Sequence, residues 1–211
     1  MTSTAEHTIT RMAGDERRQQ ILTEAMRLFS EDGFRGTTTK KIAEAAGISE
    51  AMVFRHFANK DDLYSAILDF KACSMKVDDP LESVAEAVAK KDDFQVFYGF
   101  ALKALNHHKE DQQFIRLLLF SALEGHDLAR IFFESFVTGV YEKMSDYVRT
   151  RQRDGAFKDI EPNAVVRAFL GTLIHHSLTN FLFDPEQKLL RISEEEAARS
   201  FATIILEGIK K

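Results

Sequence analysis

The residues whose types could do chemistry gather first between Thr37 and Lys60, in the stretch TTTKKIAEAAGISEAMVFRHFANK. That chemistry is non-covalent. Thr38, Thr39 and Ser49 offer hydroxyls, Lys40 and Lys60 ammonium groups, Arg55 a guanidinium and His56 an imidazole, all groups that bind phosphate oxygens. Glu50 can accept from a base edge, and Ala51, Met52 and Phe54 offer apolar contact. Histidines elsewhere (His107-His108, His126, His175-His176) raise metal binding as a second chemistry. Adjacent helical residues point about 100° apart, so neither pair can grip one ion from a single helix. Three or four residues from His175 and His176 stand Thr172 and Thr179 rather than Cys, Asp or Glu, and although Asp111 lies near His107-His108, no metal site is expected. No Ser/His/Asp set, glycine-rich phosphate loop or pair of carboxylates stands out, so neither an enzyme nor a cofactor is expected.

Two short helices are needed to position the first set. Ile42, Ala43 and Ala46 recur at helical spacing, and Gly47 follows where a helix must stop and reverse. Thr38 is placed to cap this helix, leaving Thr39 and Lys40 in its opening turn beside unpaired N–H groups and the positive dipole end. Ser49 is placed to cap the next helix, to which Val53, Phe54 and Phe57 give an apolar side. The small residues Ala43, Ala45, Ala46 and Gly47 let the two helices approach closely. A short helix, a glycine turn and a second short helix form the helix-turn-helix pattern, in which the second helix lies in a DNA major groove. Glu50, Ala51 and Met52 open that second helix, where side chains meet base edges. The same pattern also occurs in ordinary helical packing, and the residues alone leave both readings open.

A longer resemblance bears on the choice. Gly33-Phe34, Thr37-Thr38-Thr39, Ile42-Ala43, Ala46-Gly47-Ile48-Ser49, Val53-Phe54, His56-Phe57, Asn59-Lys60 and Leu63 together resemble the N-terminal domain of the TetR family of bacterial repressors, without a gap from about Arg17 to Leu68. The resemblance implies an all-α fold: a three-helix helix-turn-helix DNA-binding domain, then a larger helical ligand-binding and dimerisation domain. It implies that Thr39 and Lys60 hold phosphates, that Lys40 holds a phosphate or reaches a base, and that Glu50, Ala51 and Met52 face bases. Phe54, Arg55 and His56 would lie along the backbone. Phe54 departs from the pattern, because the family usually has Tyr there and a phosphate hydrogen bond is lost. The expected division is 1–58 for the DNA-binding domain, with 1–14 as a mobile arm, either a disordered tail or one whose Arg11 touches a groove, and 59–211 for effector binding and dimerisation.

Composition sets the bounds. With 211 residues, 45% of them hydrophobic, 3 Pro and 10 Gly, the chain can bury a sizeable core. No apolar run is long enough to span a bilayer, the opening MTSTAEHTITR lacks a secretory pattern, and the lone Cys73 makes no internal disulfide; the expected compartment is the cytoplasm. Net charge is −5, but residues 1–60 carry 9 Lys+Arg against 8 Asp+Glu, so the excess acid lies in the remainder. DNA binding would therefore rest on a few placed contacts rather than a broad basic field.

The rest of the chain reads as helix, with no alternating run or hairpin turn. An apolar stripe from about Asp15, with Ile21, Leu22, Ala25, Leu28 and Phe29, closes at Gly33; Asn59 caps a helix that runs to about Val77, where Asp78-Asp79-Pro80 breaks it. Further helices are expected over Leu81–Lys90, Asp92 to about His108, Asp111–Leu123, a long Asp127–Arg153, Pro162 to about Phe183, and Glu194–Gly208 behind a Ser193/Glu196 capping box.

Thirteen of the 18 Phe lie beyond residue 90. Phe94, Phe97, Tyr98, His107, Phe114, Phe120, Phe133 and Phe136 are candidate walls of a site for a small hydrophobic or aromatic effector, with core filling as the alternative. Phe169, Leu173, His176 and Asn180, with Phe201, Ile205 and Ile209, are the candidate dimer face. The function expected is a ligand-responsive transcriptional regulator, a repressor, binding a pseudo-palindromic double-stranded operator as a homodimer, with no membrane partner. The alternative is a DNA-bound protein whose body recruits a protein partner without an effector.

Overall fold

The computed structural model describes the backbone of residues 3–74 and 82–211, and side chains from 14 onward except those of 68 and 72–74. The expected break at Asp78-Asp79-Pro80, the packing of Cys73 and a groove contact by Arg11 lie outside the described residues. Eleven α-helices are described: α1 (Ser3–Gly36), α2 (Thr39–Ala45), α3 (Glu50–His56), α4 (Lys60–Ser74), α5 (Ala85–Lys90), α6 (Asp93–Glu110), α7 (Gln112–Glu124), α8 (Asp127–Phe132), α9 (Thr138–Arg153), α10 (Pro162–Leu178) and α11 (Glu194–Ile209). Among the described residues the only extended pairing is an isolated bridge between Phe157 and Lys210. The α-helix starts at Ser3 rather than near Asp15, so the expected mobile arm is helical from that residue. Once a helix is nucleated, polar residues extend it at little cost, and neither Pro nor Gly intervenes before Gly14.

The chain divides into two compact units, 1–76 with 113–132, and 77–112 with 133–211. In the first, Ile21, Leu22, Ala25 and Phe29 of α1 are wholly buried and pack with Leu63, Tyr64 and Ile67 of α4, Ile42 of α2, and Val53 and Phe57 of the α3 end. Phe114 and Leu117 of α7 and Leu128 of α8 complete this core. Tyr64 stands edge-on to Phe29 and Phe34, with centroids 4.9 and 5.1 Å away. Burial pushes its hydroxyl up to about 12. The division expected at 58/59 thus falls inside one core, since residues on both sides of it share the same buried cluster.

In the second unit α6 packs along α11, and α9 along α10. Three alanines of α11, Ala197, Ala198 and Ala202, are fully buried and permit close approach. Phe97 meets Phe169 edge-on at 5.0 Å. Asp93, 8% exposed, accepts from Tyr147 Oη and Arg151 Nε, both at 2.7 Å, so its charge is buried with partners. Caps behave as the sequence indicates: Ser193 and Glu196 form a reciprocal capping box, and Pro162 opens α10. The long helix expected over 127–153 is interrupted, however, by a π-turn over Phe133–Val137, and a second π-turn, Thr179–Phe183, follows α10. At the first, Thr138 Oγ1 donates to Phe133 O at 3.2 Å, satisfying a carbonyl that the widened turn would leave short of a partner.

The residues of the candidate dimer face turn largely inward. Phe169, Leu173, His176 and Ile209 are buried at 0%, 1%, 6% and 6% exposure within the second unit, and Asn180, Phe201 and Ile205 are part-buried. Periodicity finds an apolar stripe, but the strongest stripe of each helix covers its own core. The outward side of α10 and α11 instead shows Ala168, Gly171, Ile174 and His175 with Ser200, Thr203 and Ile204.

His108 gives this unit a pH dependence. Its Nδ1 lies 2.9 Å from Ser177 Oγ, and burial, helped by His107, pushes the ring down to about 4. His176 is shifted the same way by burial, against the pull of Glu194. The folded protein therefore holds His108 neutral where the unfolded chain takes up a proton. Stability is full above the unfolded value of about 6.5 and falls as pH drops toward about 4, by on the order of 3 kcal/mol. Urea unfolding of the second unit's helices should show this loss between those limits, and His108→Gln should flatten the slope; an equally steep slope in the variant would contradict the assignment.

Candidate nucleic-acid interface

The pair α2–α3 is built from caps inward. Thr38, with extended φ and ψ, accepts on its hydroxyl from Lys41 N–H at 3.1 Å, and Ser49 does the same for Met52 N–H at 3.3 Å. Between them Gly47 sits at φ +65, and Ile48 N–H reaches back to Ala43 O at 3.0 Å. Gln20 of α1 donates to Ala46 O at 3.0 Å, taking up a carbonyl at the end of α2. Val53 and Phe57 turn inward at 1% and 2% exposure. Glu50, Ala51, Phe54 and Arg55 turn outward, and Phe54, a large apolar ring, is 48% exposed. Met52 and His56 are part-buried at the edge of that face.

The expected contacts fare differently. Lys40 is exposed in the opening turn of α2. Thr39 Oγ1 donates to Glu50 Oε1 at 2.5 Å, so one hydrogen bond ties the opening turns of the two helices and occupies both candidates. Thr38 and Ser49 spend their hydroxyls on caps. Lys60 differs most from expectation. Its ammonium donates to Phe34 O at 2.8 Å and Thr37 O at 3.0 Å and lies 4.0 Å from the centre of the Phe34 ring. Two of its three N–H groups are thereby committed inside the protein, and a phosphate would have to share the third.

Two residues passed over in the sequence join the site. Arg17 and Arg18 of α1, with Arg55, bear on His56, whose ring is pushed below its usual value by burial first and then by these charges. Arg18 also lies 5.0 Å from the centre of the Phe57 ring. Their signal was the pair Arg17-Arg18 just ahead of the apolar stripe of α1, a polar flank that propensity alone does not tie to α3. Among the described residues no three His, Cys, Asp or Glu side chains are grouped to hold a metal ion.

These features define a capped two-helix reading pair with an exposed, mixed polar and aromatic face, as in helix-turn-helix proteins. Comparison with known proteins agrees. Residues 21–67 match the model of the bacterial regulatory proteins, tetR family. The chain is 52% identical over 50 residues to the uncharacterized HTH-type transcriptional regulator YvkB of Bacillus subtilis, which covers 24% of this chain and 26% of that protein. It is 39% identical over 66 residues to the transcriptional repressor AcnR of Corynebacterium glutamicum, covering 30% and 35%. The chain thus spans about a quarter to a third of these relatives' lengths. Among solved structures, the TetR family regulator PfmR of Thermus thermophilus superposes with a TM-score of 0.67 at 22% identity, covering 90% of this chain and 99% of that one. AibR in complex with isovaleryl coenzyme A and operator DNA gives 0.67 at 19%, covering 89% and 97%. Residues 21–67 thus match the N-terminal domain of the tetR family of bacterial regulatory proteins, and the all-α fold is that of the solved regulators.

Lys40→Ala should weaken binding to the duplex that the wild-type protein selects from a randomised pool, and lower the slope of log affinity against log salt by about 1. Glu50→Ala should shift the selected sequence more than the affinity. Fluorescence anisotropy over a salt series, with repeated selection, reads both; wild-type behaviour in both variants would remove these two side chains from the interface.

Proposed function

We propose that this chain is a transcriptional repressor that binds a pseudo-palindromic operator as a homodimer and releases it when a small molecule binds the second unit. The reading rests above all on the outward side of α3, where Glu50, Ala51, Phe54 and Arg55 are presented together while Val53 and Phe57 anchor the helix from behind. One helix of seven residues reads few bases, so two copies on a two-fold symmetric site are needed for useful specificity. The second copy is proposed to pack on the outward side of α10 and α11, where Ile174 and Ile204 are 41% and 64% exposed beside small residues. AibR, whose structure holds both an acyl coenzyme A and operator DNA, supports the pairing of a ligand with DNA in this fold.

The effector is proposed to enter a cavity of about 220 Å³ in the second unit, lined by Leu105, Lys109, His176, Ser177, Asn180 and Phe181 among others. None of the eight side chains expected from sequence lines it. Phe97 and Phe114 are buried in two different cores, Phe120 lies with Phe114 in the first unit, and Phe133 is 52% exposed. Phe94 and Tyr98 stack on each other at 5.5 Å with Arg199 alongside; His107 and Phe136 are part-buried. The cavity wall mixes apolar and hydrogen-bonding groups, so an effector with an apolar body and one polar end fits it better than a wholly hydrophobic one. Release then follows if the ligand prefers the arrangement that does not bind DNA, and a coupling of about 3 kcal/mol weakens operator binding roughly 100-fold. The second reading, a body that recruits a protein and takes no effector, is favoured by the exposure of Phe183 at 78% and Leu189 at 82%.

Light scattering should show a dimer, and Ile174→Arg with Ile204→Arg should raise its dissociation constant by at least about tenfold. A monomeric wild type would sink the paired reading. Thermal-shift screening against small metabolites should find a compound whose stabilisation is lost in Asn180→Leu; no hit alongside a bound protein partner would favour the second reading.

A further inference from the structure

In the first unit α1 is broken near its end. Gly33, at φ 72 and ψ 177, takes α1 out of its helical run. The backbone angle requires glycine, and a side chain there would press on Glu124 Oε1 at 2.9 Å and Phe120 Cδ1 at 3.1 Å. In an uninterrupted helix Phe34 N–H would donate to Ser30 O. Here Phe34 N–H donates to Glu124 Oε2 at 2.9 Å, and Arg35 N–H reaches Glu124 Oε1 at 3.4 Å. Ser30 O accepts instead from Arg116 Nε at 3.1 Å. The donor and the acceptor that a continuous helix would join are thus each met by a charged side chain of α7, about two turns apart.

The link from this break to α2 is held just as closely. Thr37 Oγ1 donates to Gly33 O at 2.9 Å, Lys60 clasps Phe34 O and Thr37 O, and Lys41 donates to Gly36 O at 3.1 Å. The next residue, Thr38, caps α2. The angle at Gly33 therefore passes directly to the reading pair, with little slack in between.

We propose that Glu124 and Arg116 are positioning residues for the reading pair: by fixing the break in α1 they set how α2 and α3 are presented, without touching DNA. This rests on the duplex-binding reading above. Charged partners suit the task, because a carboxylate can take two successive N–H groups at once and a guanidinium donates in a fixed plane.

The test uses the full-length chain and the duplex it selects from a randomised pool. In Glu124→Ala, amide hydrogen exchange should lose protection at Phe34 and Arg35, and duplex affinity should fall about tenfold at every salt concentration with the wild-type salt slope retained. Glu124→Gln keeps one carbonyl oxygen to accept with and should recover part of both losses. Arg116→Gln frees only Ser30 O and should show the same loss at unchanged slope, which covers the case in which Glu124→Ala does not fold. Wild-type affinity in a folded variant that has lost Phe34 protection overturns the proposal, as does a loss carried by the salt slope, which would place Arg116 at the phosphates. If the wild-type protein selects no duplex, the proposed function fails and takes this inference with it; selection by the wild type with indifferent variants removes the inference alone.

Discussion

Two helices of seven residues each cannot stand by themselves in water, and this constraint governs the first unit. Nucleation costs more than so few backbone hydrogen bonds return, so α2 and α3 exist only because something else fixes them. Burial does most of it: Ile42, Ala43, Val53 and Phe57 join the cluster formed by α1 and α4. At about 1.5–3 kcal/mol for each large apolar side chain removed from water, these few residues outweigh anything the caps supply. The caps at Thr38 and Ser49, worth about 1 kcal/mol each, set where the helices begin rather than whether they form.

A reading pair held from behind has its outward face free for recognition, and here that face is economical in charge. Arg55 is exposed on it, Lys40 is exposed at the start of α2, Arg17 and Arg18 stand part-buried near His56, and Glu50 adds a negative charge. The Thr39–Glu50 hydrogen bond draws the two helix starts together. Breaking it to free Glu50 for a base would cost part of the binding energy, so selectivity at that position would come from what replaces the bond. Lys60, which family position assigns to a phosphate, serves first as an internal clasp. A lysine stem is long enough to reach inward, and two carbonyls left unpaired near the break in α1 outcompete water for its ammonium.

What the sequence made legible was local. Thr38, Ser49, Gly47, Asn59 and the Ser193/Glu196 box act through neighbours within a few residues, and each does what its type and position indicate. What stayed hidden was what each stripe faces. Phe169 and Leu173 lie on an apolar face whether it meets α6 or a second copy, and only the assembled unit shows it is buried. The π-turns at 133–137 and 179–183 leave no mark in hydrophobic spacing, since widening one turn shifts the register by a single residue. The aromatic residues misled for a related reason: Phe97 and Phe114 look alike in sequence and belong to different cores.

The contact between Glu124 and the break in α1 spans 90 residues of sequence, and no local rule reaches that far. It has a thermodynamic consequence that the order of the chain makes clear. Segment 113–132 belongs to the first unit, yet residues on either side of it belong to the second. Cutting after residue 58, or after 76, would strip Phe114, Leu117 and Leu128 from the core that supports α2 and α3. The α2–α3 pair therefore cannot fold as an independent module. Its stability includes packing from a segment drawn out of the middle of the other unit's sequence, so whatever biases that segment between two arrangements also biases α2 and α3.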